Sequence, residues 1–438
     1  MPVNQRELWD SAVATLERNW GGSATLPSAS QYPHQWSWDS AFISIGLARC
    51  NPARAQAELN SLFAGQWEDG RLPHILFSPG EQEDAYFPGP AFWDSRARPG
   101  TPAIATSGLI QPPVHARAVL AVARASRGAN GAAHFLQQAY SRLVRWHEYL
   151  RGHRDVGGAG LAAIAHPWES GLDNSPLWDG PLAAVRQPAQ APRFARRDIS
   201  HVDARHRPTN HDYQQYVVLA EQYRDTGYDD ATLPGAQFLV EDPLFNAVML
   251  DAELCLAQIA GELGLEAGPH ERHARRLHTA LLARLWDERI GAFTARDLRT
   301  GQTVGVLTIS GLMPLLDPWL PADVSGRLAE VAASPAFIGG AAYPVPTTPP
   351  DSLAFDRHRY WRGPTWMNTN WLLGQALRQT GNTELAGQIA ASSLRLMSAA
   401  GFREYYDPLD GTGLGAGGFS WSAALALDWL AGLASSET

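Results

Sequence analysis

The chain contains no lysine: its 35 basic residues are all arginine, against 44 acidic ones, for a formal net charge of -9. An all-arginine composition reflects coding bias as readily as a demand for bidentate anion contacts, so by itself it assigns nothing. No basic stripe is present either. That excludes a nucleic-acid surface of the usual kind, which neutralises phosphates with clustered positive charge. Cysteine is scarce. Cys50 and Cys255 are the only two and lie far apart, which excludes a disulfide framework, leaves a single bridge open, and points to a reducing, cytoplasmic setting. No stretch reads as an uninterrupted apolar run long enough to span a bilayer. The first twenty residues lack the short apolar core of a signal peptide, so neither a membrane partner nor secretion is expected. Low-complexity tracts, exact repeats and a convincing linker are missing as well, and the economical reading is a single domain over 1–438.

What is present is a hydrophobic share of 45% with 16 tryptophans, the composition of a globular protein with a sizeable core. Helical periodicity dominates. Met1–Trp20 places Leu8, Ala12, Leu16 and Trp20 on one face. The same spacing predicts helices over Asp39–Arg49, Ala53–Phe63, Val114–Ser126, Ala132–Gly152, Asp212–Thr226, Asp242–Leu263, His270–Trp286, Ala322–Ala333, Thr365–Thr380, Thr383–Ala399 and Trp421–Ala434. The fold class is therefore all-α with about a dozen helices. Short extended pieces are expected near Leu161–Ala165 and Gly291–Arg296, too small to form a sheet domain. Between the helices run long loops rich in glycine, proline and aromatics, chiefly Trp67–Ser107, Ala165–Pro208 and Ile338–Pro364. Loops of that length are uncommon unless functional.

Trp168–Pro176 concentrates carboxylates, an indole and a glycine turn in nine positions, which is what a sugar-cleaving site requires. One carboxylic acid protonates the departing oxygen, a second carboxylate works on the anomeric side, and aromatic faces hold the ring. Asp173 is the candidate acid: Trp168 and Trp178 nearby would lower local polarity and raise its pKa. An ordinary Asx turn is the structural alternative, and Glu169 is the nearest rival. The candidate base is Glu404, set between aromatics more than two hundred positions downstream. Asp407 and Asp410 compete with it, and a surface ion pair with an arginine is the bland reading.

Tyr32–Ser40 adds aromatic platforms and Asp39, which could accept two hydroxyl hydrogen bonds or simply cap the helix that follows. His74 and Gln111 sit in loops, the latter at a helix mouth, where ordinary loop roles compete with ligand contact. Tyr360–Trp366 carries two more indoles, with core packing as the alternative.

Together Tyr32–Ser40, Trp168–Pro176, Tyr360–Trp366 and Phe402–Tyr406, followed by Ser420 and Trp421, resemble the motifs of glycoside hydrolase family 63, in particular its compact bacterial members acting on mannosylglycerate or glucosylglycerate. The resemblance spans nearly the whole chain. It implies an (α/α)6 barrel with long loops forming a cap, around 67–107 and 174–210, an inverting mechanism, and no metal or cofactor. By motif, Asp173 corresponds to the general acid and Glu404 to the general base. Trp38, Asp39, Trp168, Gly171, Trp361 and Trp366 correspond to the sugar side, with Trp421 adding a further platform. Tyr32, Trp36, His74, Gln111, Arg207 and Tyr213 correspond to the glycerate side, where a guanidinium suits a carboxylate. The loop Ala191–Arg207 is expected in the lid. One departure stands out: Phe419, in the glycine-rich run 415–418 and after, takes a place where the resemblance implies glutamine.

The partner expected is a small sugar substrate, and a homo-oligomer is compatible with everything above. Three other readings compete. An α-glucosidase for other small α-glucosides, of trehalase type, would share the carboxylate pair. An (α/α)6 sugar epimerase would use His34, His74 or His166 as acid and base. A binding protein would keep the aromatic platforms without depending on the carboxylates.

Overall fold

The computed structural model describes residues 3–82, 85–188, 194–200 and 202–436. Among them are twelve α-helices of eight or more residues: α1 Gln5–Arg18, α2 Ser37–Cys50, α3 Pro52–Ala64, α4 His115–Ala125, α5 Ala132–His153, α6 Asn210–Asp225, α7 Pro243–Glu262, α8 Gly268–Leu285, α9 Ala322–Ala333, α10 Met367–Gln379, α11 Thr383–Ala400 and α12 Ser420–Ser436. The 3₁₀ helix Ile309–Leu316 joins them.

Their packing closes a ring. Helix α2 lies against α4, α4 against α7, α7 against Ile309–Leu316, that segment against α10, α10 against α12, and α12 back against α2. A second layer covers the first: α1 on α12, α3 on α2, α5 on α4 and α7, α8 on α7, α9 on Ile309–Leu316 and α11 on α10. Outer and inner helices alternate along the chain apart from α6, which is the (α/α)6 barrel.

Burial follows from position in the two layers. An outer helix needs one apolar stripe, and α1 buries Leu8, Ala12, Thr15 and Leu16. Trp20 falls beyond the end of α1 and instead lies beneath the guanidinium of Arg54 at 4.4 Å. An inner helix is covered all round, so α2 is buried without a break from Ser37 to Ala48. The same cause makes α7 long and apolar enough to cross a membrane by length and composition alone. That corrects the expectation that no stretch qualifies, because a core helix passes the same test.

Two elements depart from the periodicity reading. The inner segment Ile309–Leu316 has no helical signal in the sequence; it contains Gly311 and Pro314, and a Cβ on Gly311 would come 2.2 Å from the carbonyl oxygen of Phe293. Helix α6 forms as the spacing predicts, yet it belongs to neither ring. It packs on the loops: Tyr213 donates to the Phe87 carbonyl (2.9 Å), Gln215 to that of Leu182 (2.7 Å) and Tyr216 to that of Asp173 (3.0 Å).

The extended pieces are short. Ala163–Ile164, Val240–Glu241, Arg296–Asp297 and Gln302–Thr303 form one antiparallel sheet of two-residue strands in that order. A hairpin pairs Arg403–Tyr406 with Gly413–Gly417, its register broken by a bulge between Leu414 and Gly417. The loops 67–107, 165–208 and 338–364 gather at the end of the barrel where the inner helices begin. Two of them meet where Phe194 stacks on Phe87, at 6.1 Å. Within these loops, positions 83–84, 189–193 and 201 lie outside the described residues, so the expected lid loop Ala191–Arg207 is described only in part.

Candidate active site

A cavity with about 590 Å³ of empty space, part of it open to solvent, lies at this end. Its wall is assembled from segments that precede the inner helices. Tyr32, Trp36, Trp38 and Asp39 come from the entry to α2, Gln111 from the entry to α4, Tyr360 and Trp361 from the entry to α10, and Glu404, Phe419 and Trp421 from the entry to α12. His74, Tyr86 and Pro88 arrive from the loop 67–107, and Trp168, Gly171 and Asp173 from 165–208.

The two candidate catalytic carboxyls therefore share one cavity. Around Asp173 the backbone is held from several sides: Trp178 donates to the Leu172 carbonyl (2.8 Å) and Tyr216 to that of Asp173 itself (3.0 Å). Trp168 lines the cavity, whereas Trp178 is in the core. Burial pushes the Asp173 carboxyl up to about 8, opposed by Arg207 and reinforced by the negative charge of Glu404. It is protonated at neutral pH. Asp39, in the first turn of α2, is likewise raised well above the ordinary carboxylate range by burial and then by Glu404 and Asp173. Trp36, at the N-cap of α2, supplies no side-chain cap; the Trp38 amide in the first turn donates instead to Gln111 Oε1 (3.2 Å).

Glu404 is 1% exposed and carries four close donors. Tyr32 Oη donates to Oε1 (2.7 Å), Arg207 donates through Nη1 to Oε1 (3.1 Å) and through Nη2 to Oε2 (2.6 Å), and the Ala416 amide donates to Oε2 (2.9 Å). The hairpin bulge creates the last contact. Gly415, at φ +64, leaves room that a side chain would fill. Gly171 has a similar part beneath Trp38: its φ is +71, and a Cβ would come 2.4 Å from that indole.

Three expected contact residues do not line the cavity. Arg207 sits behind Tyr32 and Tyr360, paired with Glu404, its guanidinium 4.4 Å from the Tyr360 ring. Trp366 is fully buried and stacks behind Trp361 at 3.6 Å. Tyr213 faces the cap, among Phe194, Trp168 and Tyr216. Conversely, Pro27, Tyr86, Pro88 and Tyr360 line it although no sequence signal marks them as contacts, and Phe419 lines it at the position where the resemblance implies glutamine. Tyr360 lies inside one of the four motifs, but Tyr86 has no spacing to tie it to Tyr32, against which it packs at 6.1 Å. Phe419 packs edge-on against Tyr32 (6.0 Å) and Trp421 (4.9 Å).

The rival carboxylates are occupied. Glu169 is fully buried in a two-pronged pair with Arg154 (2.8 and 2.9 Å) and accepts the Ala165 amide (2.7 Å). Asp407 and Asp410 both hold Arg357 in the hairpin turn. Of the three histidines, His74 alone lines the cavity. Burial drives His34 down to about 4 and His166 to about 3, and it lowers His74 too, so none is charged at neutral pH. Two buried indole N–H groups on the cavity wall, those of Trp36 and Trp421, have no acceptor among the described residues. They are donors left over for a ligand rich in oxygen.

Elsewhere, Glu253, His270 and His273 bring potential metal-ligand atoms within 4.8 Å of one another. Glu253 already accepts from Arg151 (2.6 Å), with His147 and His270 nitrogens 3.0 and 2.8 Å from its oxygens. A guanidinium thus supplies the positive charge there, and none of these residues lines the cavity. Cys50 and Cys255 are both free thiols.

Known proteins resemble this chain over nearly its whole length. A family described as the mannosylglycerate hydrolase MGH1-like glycoside hydrolase domain matches residues 32–422. The mannosylglycerate hydrolase of Rubrobacter radiotolerans is 40% identical over 427 residues, covering 96% of both chains. The glucosylglycerate hydrolase of Mycolicibacterium hassiacum is 36% identical over 449 residues, again covering 96% of each. The crystal structure of the GH63 mannosylglycerate hydrolase from Thermus thermophilus in complex with Tris and D-glycerate superposes with a TM-score of 0.90 at 40% identity, over 96% of this chain and 99% of that one.

Proposed function

Because the chain belongs to the mannosylglycerate hydrolase MGH1-like family of glycoside hydrolases, we propose that it hydrolyses mannosylglycerate or glucosylglycerate with inversion at the anomeric carbon, as a cytoplasmic enzyme using neither metal nor cofactor. The observation that carries this reading is the pairing, in one cavity, of a carboxyl held protonated at neutral pH with a second carboxylate. Asp173 gives its proton to the glycosidic oxygen as the C1–O bond breaks. Glu404 takes a proton from a water that attacks the opposite face of the ring. Inversion needs room for that water, so the two carboxyl groups belong roughly 6.5–9.5 Å apart.

The rest of the wall fits the substrate. Trp38, Trp168 and Trp361 offer flat apolar faces to the sugar, while Asp39, Gln111, His74 and the indole N–H groups of Trp36 and Trp421 meet hydroxyls and the aglycone. Trp366 supports Trp361 from behind. The two free cysteines suit a reducing compartment.

A substrate panel tests the reading: mannosylglycerate, glucosylglycerate, glucosylglycerol and trehalose, followed by NMR so that the first product anomer is seen. Release of the β-anomer from one of the two α-linked glycerate glycosides is expected. Cleavage of neither, or α-anomer appearing first, overturns it.

A further inference from the structure

The His74 ring is wedged among three indoles. Trp36 and Trp93 meet it edge-on at 5.5 and 5.7 Å, and Trp168 lies nearly parallel to it at 6.3 Å. Its backbone is fixed as well: the amide donates to the Leu109 carbonyl (2.8 Å), and the carbonyl accepts the Ser37 amide (2.9 Å). Nδ1 lies 2.5 Å from the Oγ of Ser107, a fully buried residue that does not line the cavity. Nε2 has no partner among the described residues, so it is the ring nitrogen left for the cavity. The polarity of the Ser107 contact follows from counting. A hydroxyl carries one hydrogen and two lone pairs. The Ile75 amide donates to one lone pair (3.2 Å). The hydrogen needs an acceptor too, since a buried hydroxyl left unpaired carries its full desolvation penalty. Among the described residues, His74 Nδ1 is the acceptor within reach. Burial keeps the ring neutral. With Nδ1 accepting, the ring proton sits on Nε2.

We propose that Ser107 is a positioning residue: by donating to Nδ1 it locks His74 in the tautomer whose Nε2–H faces the cavity, so that His74 meets a substrate oxygen only as a hydrogen-bond donor. The lock is anchored in backbone, because the Ser107 amide donates to the Ile75 carbonyl (3.0 Å) while its hydroxyl accepts from the Ile75 amide. Gln111 is committed in the same sense. Its Oε1 accepts the Trp38 amide (3.2 Å), which leaves its NH2 group for the cavity. With the unpartnered Trp36 Nε1–H, this side of the wall offers donors. A general-base role for His74 is closed by the same arrangement. The proposal rests on the reading of this cavity as the site of a glycerate glycoside.

Nitrogen-15 NMR of histidine-labelled enzyme reads the tautomer directly, because a bare ring nitrogen resonates far from a protonated one. The His74 signals are identified by their loss in H74Q. A bare Nδ1 and a protonated Nε2 are expected in the wild type and in S107T, and a mixture of tautomers in S107A. On whichever glycerate glycoside is cleaved, S107A is expected to lose about tenfold or more in kcat/KM. S107T should recover most of that loss. Placed in the H74Q background, S107A should cost nothing further, since the hydroxyl acts through the ring. A protonated Nδ1 in the wild type overturns the proposal even if no variant folds, as does an unchanged tautomer in S107A. An S107A loss of the same size with and without His74 also overturns it, because that is the mark of a general structural role. If the tautomer is as expected and neither glycoside is cleaved, the substrate reading alone fails; if a glycoside is cleaved and S107A turns over like the wild type, positioning alone fails.

Discussion

Gly415 lies so close to Glu404 that a Cβ built on it would come 2.4 Å from Oε2 and 2.8 Å from the Cβ of Glu404. The glycine sits at φ +64 in the bulge that turns the Ala416 amide onto the carboxylate. The glycine-rich run 415–418 is therefore part of the device that aims Glu404.

Substituting Gly415 by alanine should push the carboxylate aside and strain the backbone at a left-handed position. We expect G415A to lose at least a hundredfold in kcat while circular dichroism still reports a folded helical protein. Turnover within a few-fold of wild type would show that the carboxylate tolerates the shift.

Asp173 must carry a proton to act as an acid, and burial holds its carboxyl at about 8. Activity on a glycerate glycoside should fall as pH rises through that value, giving kcat/KM an alkaline limb. The same profile measured on a glycosyl fluoride should lack this limb, because fluoride needs no acid. A limb shared by both substrates would assign it to another group.

The raised pKa has a cost in stability whose sign is fixed by linkage. Between the ordinary carboxyl range and about 8, the folded state binds a proton that the unfolded state has released, so stability contributed by this group is present at low pH and is lost as pH rises through that window. D173N removes the titration. It should melt several degrees above the wild type at pH 8, with the difference shrinking towards pH 4. Calorimetry across that range decides, and a pH-independent difference would exclude the linkage.

Trp366 and Trp361 should separate in opposite ways. Trp366 is fully buried between Trp361 (3.6 Å) and Tyr405 (4.6 Å), so W366A is expected to cost about 3–5 kcal/mol of stability. W361A removes a cavity face and should raise KM with a smaller loss of stability. Denaturant titration beside steady-state kinetics distinguishes them, and a reversed pattern would exchange their roles.

Much of the fold is legible because outer helices carry one apolar stripe each, and a stripe such as Leu8, Ala12 and Leu16 is written locally. The inner 3₁₀ helix Ile309–Leu316 is not, since Gly311 and Pro314 read as helix breakers and only the close approach to Phe293 accounts for the glycine. In the site, residue chemistry marks Asp173 and Glu404 but cannot reject Glu169. That carboxylate is spent on Arg154, fifteen positions away in the chain and brought to it by the fold. Trp361 and Trp366 are alike in sequence, and stacking alone decides which one faces the cavity.

The sequence by itself determined the residue types that sugar chemistry needs and the helices that carry them, because side-chain chemistry and helical periodicity are local properties. The tertiary structure decided which of those residues meet. Asp173 and Glu404 share a cavity because six inner helices close into a ring whose starting ends face one way. Arg207 pairs with Glu404, which no single motif announces, because ion pairing in a buried site is settled by proximity and desolvation, and neither is encoded in any one stretch of chain.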